Sequence, residues 1–452
     1  MKRTAASLLI LLGSLAAACD VSTSDAGSSH DKVTDIPSSS VLDQGETGNC
    51  WLYATAAWSE SLHASATGDT RIHFSPTYWD YWDWYDQIMA GSTNVAFGGY
   101  WGRAVELVRR YGLAPLGSLG GTDDAALAVS ANAKINQALA NGTLQADDGG
   151  AMDPVKVLAA LNNAFDLSDD NVALLQKTFG PDGKHTFADG AEANGFLVRP
   201  QDFDVTAFSA SGKSKAKLSD VIGEPVNDDM DQRSGSLAWT AAYAPSTAGG
   251  TGFAIARPLP GQSARKAHAL VGDEDAGTSD DAGALDSDAG TASTIPAADP
   301  AAWKDYTRRI QRALNDGAPL PIAWLVVFPD ADFAGHFRPT VASTTSDQAG
   351  WHETLITDYE VTNVPGFGTL QAGQVATDAQ KAAALEDPST VTFLRVKNSW
   401  GTAPVTGWAE PLAGYNDLDV SYLSGTVQLC DSSNNCYYAA PSMFDAVLPP
   451  GY

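Results

Sequence analysis

Cys50 opens a predicted helix and follows the polar segment Asp43-Gln44-Gly45-Glu46-Thr47-Gly48-Asn49. A thiol at a helix N-terminus feels the positive end of the macrodipole, which favours the thiolate. The thiolate is the nucleophile that acyl transfer needs. It also needs a base, a group that orients the base, and donors for an oxyanion. Seven histidines are available: 30, 63, 73, 185, 268, 336 and 352. His30 falls in a polar N-terminal stretch. His63 lies thirteen residues beyond Cys50 on the same predicted helix, too far along an axis that rises about 1.5 Å per residue. His352 sits at the mouth of a predicted strand over 353–361, and Asn398 ends another over 390–398. A strand-end His beside a strand-end Asn makes a base and its orienter. Glu353, next in sequence, either raises the imidazole pKa or points to the opposite strand face. His268, in Lys266-Ala-His-Ala-Leu-Val-Gly272, is a rival base.

Other chemistries find no support. His352-Glu-Thr-Leu-Ile356 lacks the second His of a zinc helix. The sequence has no GxSxG elbow, phosphate-binding Gly loop or dinucleotide fingerprint. Cys430 and Cys436 enclose five residues, a spacing suited to a small disulfide in an oxidising compartment. The remaining cysteines are Cys19 and Cys50, with no paired-Cys zinc spacing. Neither a metal site nor a cofactor is expected.

Helical spacing is read over 50–65, where Trp51, Ala54, Trp58 and Leu62 recur and Asn49 can cap. A second helix over 74–90 opens with Ser75-Pro76 and carries aromatics on nearly every face, as a buried helix does. A third covers 99–113, ended by Gly112. Weaker helical stretches occupy 129–140 and 154–178, and another covers 302–315. Strands are expected at 321–328, 353–361, 390–398, 405–411 and 426–430. Helices first and strands later indicate an α+β class.

The motifs themselves resemble a known family. Gln44-Gly-Glu-Thr-Gly-Asn-Cys50-Trp-Leu-Tyr-Ala54 is similar to the nucleophile segment of papain-like cysteine peptidases, and Lys397-Asn-Ser-Trp-Gly401 to their Asn-Ser-Trp-Gly box. Phe74-Ser-Pro-Thr-Tyr-Trp and Gly98-Gly-Tyr-Trp-Gly102, with its Tyr111-Gly ending, resemble the bleomycin hydrolase/aminopeptidase C branch. His352 and Asn398 lie 302 and 348 residues after Cys50, against about 130–150 in plain papain-like enzymes, as a large insertion would give. The likeness covers about 36–120 and 303–410.

The resemblance implies a two-lobed fold, with a helical N-terminal lobe (41–120) and an antiparallel, β-barrel-like C-terminal lobe (301–452) either side of an insertion (121–300). It implies Cys50 as nucleophile, His352 as base and Asn398 as orienter. Gln44 and the Cys50 backbone N–H would donate to the oxyanion, and Trp400 would shield the His–Asn bond. A resting thiolate–imidazolium pair is implied, acting on a peptide or protein substrate through a thioester. In the named branch the C-terminal tail restricts cleavage to N-terminal residues. The tail here is unlike theirs, so the mode of cleavage and the oligomeric state stay open. A non-catalytic, peptide-binding lipoprotein of the same fold is the alternative.

Composition narrows the setting. The 27 Lys+Arg against 54 Asp+Glu give a net charge of −27, which argues against nucleic acid and anionic lipid as partners. Residues 1–18 read as a secretory signal: Lys2 and Arg3, an apolar run, then Ala16-Ala-Ala18 before Cys19. Cys19 is the expected lipidation site, giving an exported chain held at a bacterial cell envelope by lipid alone; an ordinary signal peptide cut nearby would instead give a secreted one. Residues 19–40 read as a flexible tether and 271–300 as an acidic linker. Net charges of −3 and −8 place over a third of the mature acidity in these two stretches.

Overall fold

Cys50–Thr67 forms α1, a helix buried along most of its length. Gly68 ends it in the left-handed region, its N–H donating to Ala64 O at 2.7 Å. The expected cap at its start takes another form. Asn49 makes no side-chain cap; its amide instead donates to the buried Asp80 carboxylate at 2.7 Å, tying the start of α1 to the next helix. That helix, α2 (Pro76–Met89), is capped by Ser75, whose Oγ accepts from Tyr78 N at 3.1 Å. The six aromatics of α2 from Tyr78 to Tyr85 are all buried. Four of the six have satisfied polar ends: Tyr78 donates to Tyr111 O, Trp79 to Gly112 O, Tyr81 to Asn162 Oδ1 and Tyr85 to Asp182 O. The cluster therefore fills the core. Helix α3 (Trp101–Tyr111) packs against it through a Trp82–Tyr111 stack at 4.2 Å and through Arg103, which bridges Asp83 and Asp86.

The computed structural model describes residues 33–120, 124–147, 149–225, 233–245, 299–403, 413–430 and 436–452. Residues 1–32 with Cys19, His268, nearly all of 271–300 and the whole strand expected over 405–411 lie outside them. After α3 come α4 (Asp124–Ala140), α5 (Pro154–Ala164) and α6 (Asp169–Phe179). The stretch 154–178 is thus two helices. Asp166 takes a positive φ of 50° between them, and Ser168 caps the second through Asn171 N at 3.2 Å. A hairpin of β1 (Asp204–Ser209) and β2 (Gly212–Lys217), then α7 (Leu218–Ile222), follow. Short strands β3 (Glu224–Pro225), β4 (Arg233–Ser234) and β5 (Thr240–Tyr243) precede α8 (Pro300–Asn315).

The strand-rich region holds β6 (Leu320–Val327), β7 (His336–Phe337), β8 (Ser343–Thr345), β9 (Ala349–Val364) and β10 (Gly368–Leu370). Helix α9 (Asp378–Ala383) leads to β11 (Thr390–Lys397), β12 (Tyr415–Asp419) and α10 (Val420–Leu423). The strands β13 (Thr426–Cys430), β14 (Cys436–Pro441) and β15 (Met443–Leu448) complete the order. The chain is a mixed helix-and-sheet protein. Its main sheet runs β5-β15-β6-β9-β11-β12-β7, with β10 paired to β9. Pairings are antiparallel except β12 with β7. The β-barrel-like lobe is not found: among the described residues the sheet is open, ending in the short strands β5 and β7, which pair with other neighbours and not with each other. One continuous buried cluster joins helices and sheet.

The tether expected over 19–40 differs at its C-terminal end. Val33, Thr34, Ile36, Ser38 and Ser39 are buried. Thr34 Oγ1 donates to Thr357 O at 2.5 Å, and Lys397 Nζ donates to Ser39 O at 2.8 Å. Hydrogen bonds to β9 and β11, with two apolar anchors, hold this segment on the sheet.

Candidate active site

Four pieces of chain converge: the 42–49 loop, the start of α1, β9 and the segment leaving β11. Gly99 makes room for the nucleophile's neighbour. A Cβ there would stand 2.6 Å from the Trp51 ring, so only glycine lets that ring lie flat against the chain. Trp51 in turn fixes the first turn of α1 and with it Cys50.

His352 lies within β9 rather than ahead of it, in register with Trp324 of β6. Asn398 directly follows β11, whose Lys397 pairs with Leu355 of β9. This antiparallel register brings the two side chains together: His352 Nε2 is 2.7 Å from Asn398 Oδ1, with both residues buried. Trp400 stacks on the imidazole at 4.8 Å and 19°, and Trp324 meets it edge-on at 5.8 Å. Half-exposed Phe328 continues the stack on Trp400 at 6.1 Å.

The 42–49 loop is stitched to the segment after Asn398. Gln44 N donates to Ser399 O at 2.7 Å, and Gly401 N donates to Leu42 O at 3.1 Å. The Gln44 carboxamide accepts from Ser399 Oγ and donates to Thr47 O. Gly401, at φ 73°, lets the chain turn where a Cβ would meet the Asp43 carboxylate at 2.8 Å. Gln44 thus lies buried between the nucleophile segment and the Asn398 segment, with one of its two amide N–H groups on Thr47.

The electrostatics differ from the implied ion pair. Burial pushes the Cys50 thiol up to about 12. The Glu353 backbone N–H and those of Trp51 and Cys50 pull it down, and the Glu353 carboxylate pushes it up. Burial pulls His352 down to about 4, against the hydrogen bond of Asn398. Burial thus disfavours both charged forms, because a closed site strips water from each. The helix N-terminus acts in the expected sense but is outweighed. Glu353 follows His352 within β9, so strand alternation turns its side chain to the opposite face, the second of its two expected roles.

Elsewhere, His63 is stacked on Phe203 and bonded to Asp204 O, occupied in packing α1 against β1. Cys430 is disulfide-bonded, and its backbone faces Cys436 across β13 and β14. Among the described residues no cluster of His, Cys, Asp and Glu is arranged to hold a metal. No helix among them is long and apolar enough to cross a membrane. Sequence reading missed Trp324, Ser399 and Asn416. Ser399 was within reach, since it sits inside the Asn-Ser-Trp-Gly box. The other two join the site only through strand register, which leaves no local signature.

No protein-family profile matches the chain, and no curated protein matches it. Solved structures similar to it include PepW from Lactobacillus rhamnosis HN001 (DR20), at 13% identity and TM-score 0.42 over 93% of this chain and 82% of that one. Another is the Carica candamarcensis cysteine protease CMS1MS2 in complex with E-64, at 12% identity and TM-score 0.28 over 91% and 92% of the two chains. Similarity at this level does not assign the chain to a family.

Proposed function

We propose that the chain is a papain-like cysteine peptidase that cleaves peptide bonds through a thioester acyl-enzyme. The observation that carries this reading is the buried His352–Asn398 contact at 2.7 Å beneath Trp400, on the strand whose Glu353 backbone N–H reaches the Cys50 thiol. In the proposed cycle, His352 takes the Cys50 proton as sulfur attacks the peptide carbonyl. The oxyanion accepts from the Cys50 backbone N–H and the second N–H of Gln44. The imidazolium then protonates the leaving amine, and the C–N bond breaks to leave a thioester. Water, deprotonated by the same imidazole, attacks the thioester and releases the acid and the thiol. Asn398 holds the ring in plane throughout, and Trp400 keeps water from the His–Asn bond.

Because burial disfavours both charged forms, this cycle begins with proton transfer in the substrate complex rather than from a preformed thiolate. One observation favours the second reading, a non-catalytic peptide-binding protein: the thiol is buried, which disfavours the thiolate. Incubation with a peptide library separates the two. Hydrolysis by the wild type that disappears in Cys50→Ala supports the peptidase. No hydrolysis by folded wild type supports the binder. We also propose export and lipid attachment at Cys19, supported by the apolar N-terminal run and the Ala-Ala-Ala-Cys ending. The substrate would then be a peptide or protein met at the cell envelope.

A further inference from the structure

Behind the His352–Asn398 pair the hydrogen bonds continue. Asn398 Oδ1 also accepts from Ser399 N at 2.7 Å. Asn398 Nδ2 donates to Asn416 Oδ1 at 2.7 Å, and Asn416 Nδ2 donates to Gly335 O at 3.0 Å. Both asparagines are almost fully buried. Register explains the meeting: Val396 pairs with Asn416 across β11 and β12, and Gly335 precedes β7, the parallel neighbour of β12.

The two ends of this chain have fixed polarity. A backbone N–H such as that of Ser399 can only donate, and a carbonyl such as that of Gly335 can only accept. Neither amide can therefore flip without setting donor against donor or acceptor against acceptor, at a cost that burial enlarges. With Asn398 Oδ1 held toward the ring, a neutral His352 must carry its proton on Nε2. Its Nδ1 is then an unprotonated lone pair. The opposite tautomer would offer Nδ1–H and could accept no proton from a thiol. In a site whose imidazole rests neutral, the tautomer decides whether a base is present at all.

We propose that Asn416 is a positioning residue: it locks the Asn398 amide, and through it the Nε2–H tautomer of His352. The proposal rests on the peptidase reading for its consequence in catalysis, but not for its structural readout. That readout is the 15N spectrum of the histidine side chains at neutral pH, with His352 assigned by its loss in His352→Ala. Wild type is expected to show His352 as the Nε2–H tautomer. Asn416→Leu removes the acceptor for Asn398 Nδ2 and is expected to show mixed tautomers, with kcat reduced about 10- to 100-fold and KM little changed. Asn416→Asp, which in its protonated form keeps that acceptor and still donates to Gly335 O, is expected to keep the wild-type tautomer. Should the leucine variant not fold, Asn416→Ser replaces it, its hydroxyl being too short to reach Asn398. A wild-type tautomer in Asn416→Leu or Asn416→Ser overturns the proposal, whatever the activity. So does a mixed tautomer in Asn416→Asp. Absence of peptide hydrolysis in every protein, with the tautomers as expected, sinks the peptidase reading and leaves the lock standing.

Discussion

The two halves of the site are held by different means. His352 is fixed by directed contacts: a hydrogen bond to Asn398, a polarised chain through Asn416 to Gly335, and two tryptophan rings. Cys50 is fixed by the chain itself, as the first residue of a buried helix whose second residue fits against Gly99. The influences on its thiol are burial, backbone N–H groups and one neighbouring carboxylate. The base is thus specified by partners, which decide its orientation and tautomer. The nucleophile is specified by backbone placement, which fixes position and leaves activation to the reaction.

That contrast can be broken from either side. The largest effect is expected where the halves meet. Gln44→Ala removes an oxyanion donor and the side-chain bond from Ser399 Oγ, so kcat should fall about 100- to 1,000-fold with KM changed far less. Steady-state kinetics check this, and a loss confined to KM would remove Gln44 from the transition state. On the nucleophile side, Gly99→Ala should push Trp51 aside and cost about 1–3 kcal/mol of stability, read by denaturant unfolding. Cys50 labelling should slow in parallel. Wild-type stability in that variant would show that the Trp51 ring has room to spare.

The smallest effect belongs to the outer edge of the base side. His336 bonds Asp417 at 3.0 Å, and Asp417 also takes a bidentate pair from Arg395. The Asp417 hydrogen bond raises the His336 pKa above its ordinary value, against burial, with Asp332 adding to the rise and Arg338 opposing it. A base with a raised folded pKa lends stability that is complete below its ordinary pKa of 6.5 and lost as pH rises through the folded value. Wild type should therefore exceed His336→Gln by on the order of 1 kcal/mol in mildly acid solution. The gap should close as pH rises above neutrality. Thermal melts across pH read it, and a gap that widens with pH would reverse the assignment.

Where the chain follows local rules, the sequence foretold it. Ser75-Pro76 starts α2 where capping and proline chemistry require, and Cys50 through Thr67 keeps the expected helix. The sequence placed His352 at a strand mouth and Asn398 in the Asn-Ser-Trp-Gly box at a strand end, and the two side chains meet at 2.7 Å. Other features depend on partners distant in sequence. Asn49 looked like a cap, but Asp80 competes for its side chain. Residues 33–40 looked like tether because Ser and Thr carry no apolar period, yet Val33, Thr34, Ile36, Ser38 and Ser39 are buried on the sheet, with hydroxyl and backbone bonds holding the segment. Asn416 is an ordinary polar residue until β12 pairs with β11. The desolvation that opposes the thiolate expected from the helix N-terminus was out of reach for a similar reason, since it is a property of the assembled site.

The most direct test of the proposed peptidase is covalent capture of the nucleophile. Folded protein is treated with an epoxide inhibitor of papain-like enzymes, and the adduct is mapped by mass spectrometry. The account predicts one adduct per chain, on Cys50, forming at a rate that collapses in His352→Ala. An unlabelled Cys50 in folded wild type, or peptide hydrolysis that persists in Cys50→Ala, would contradict it.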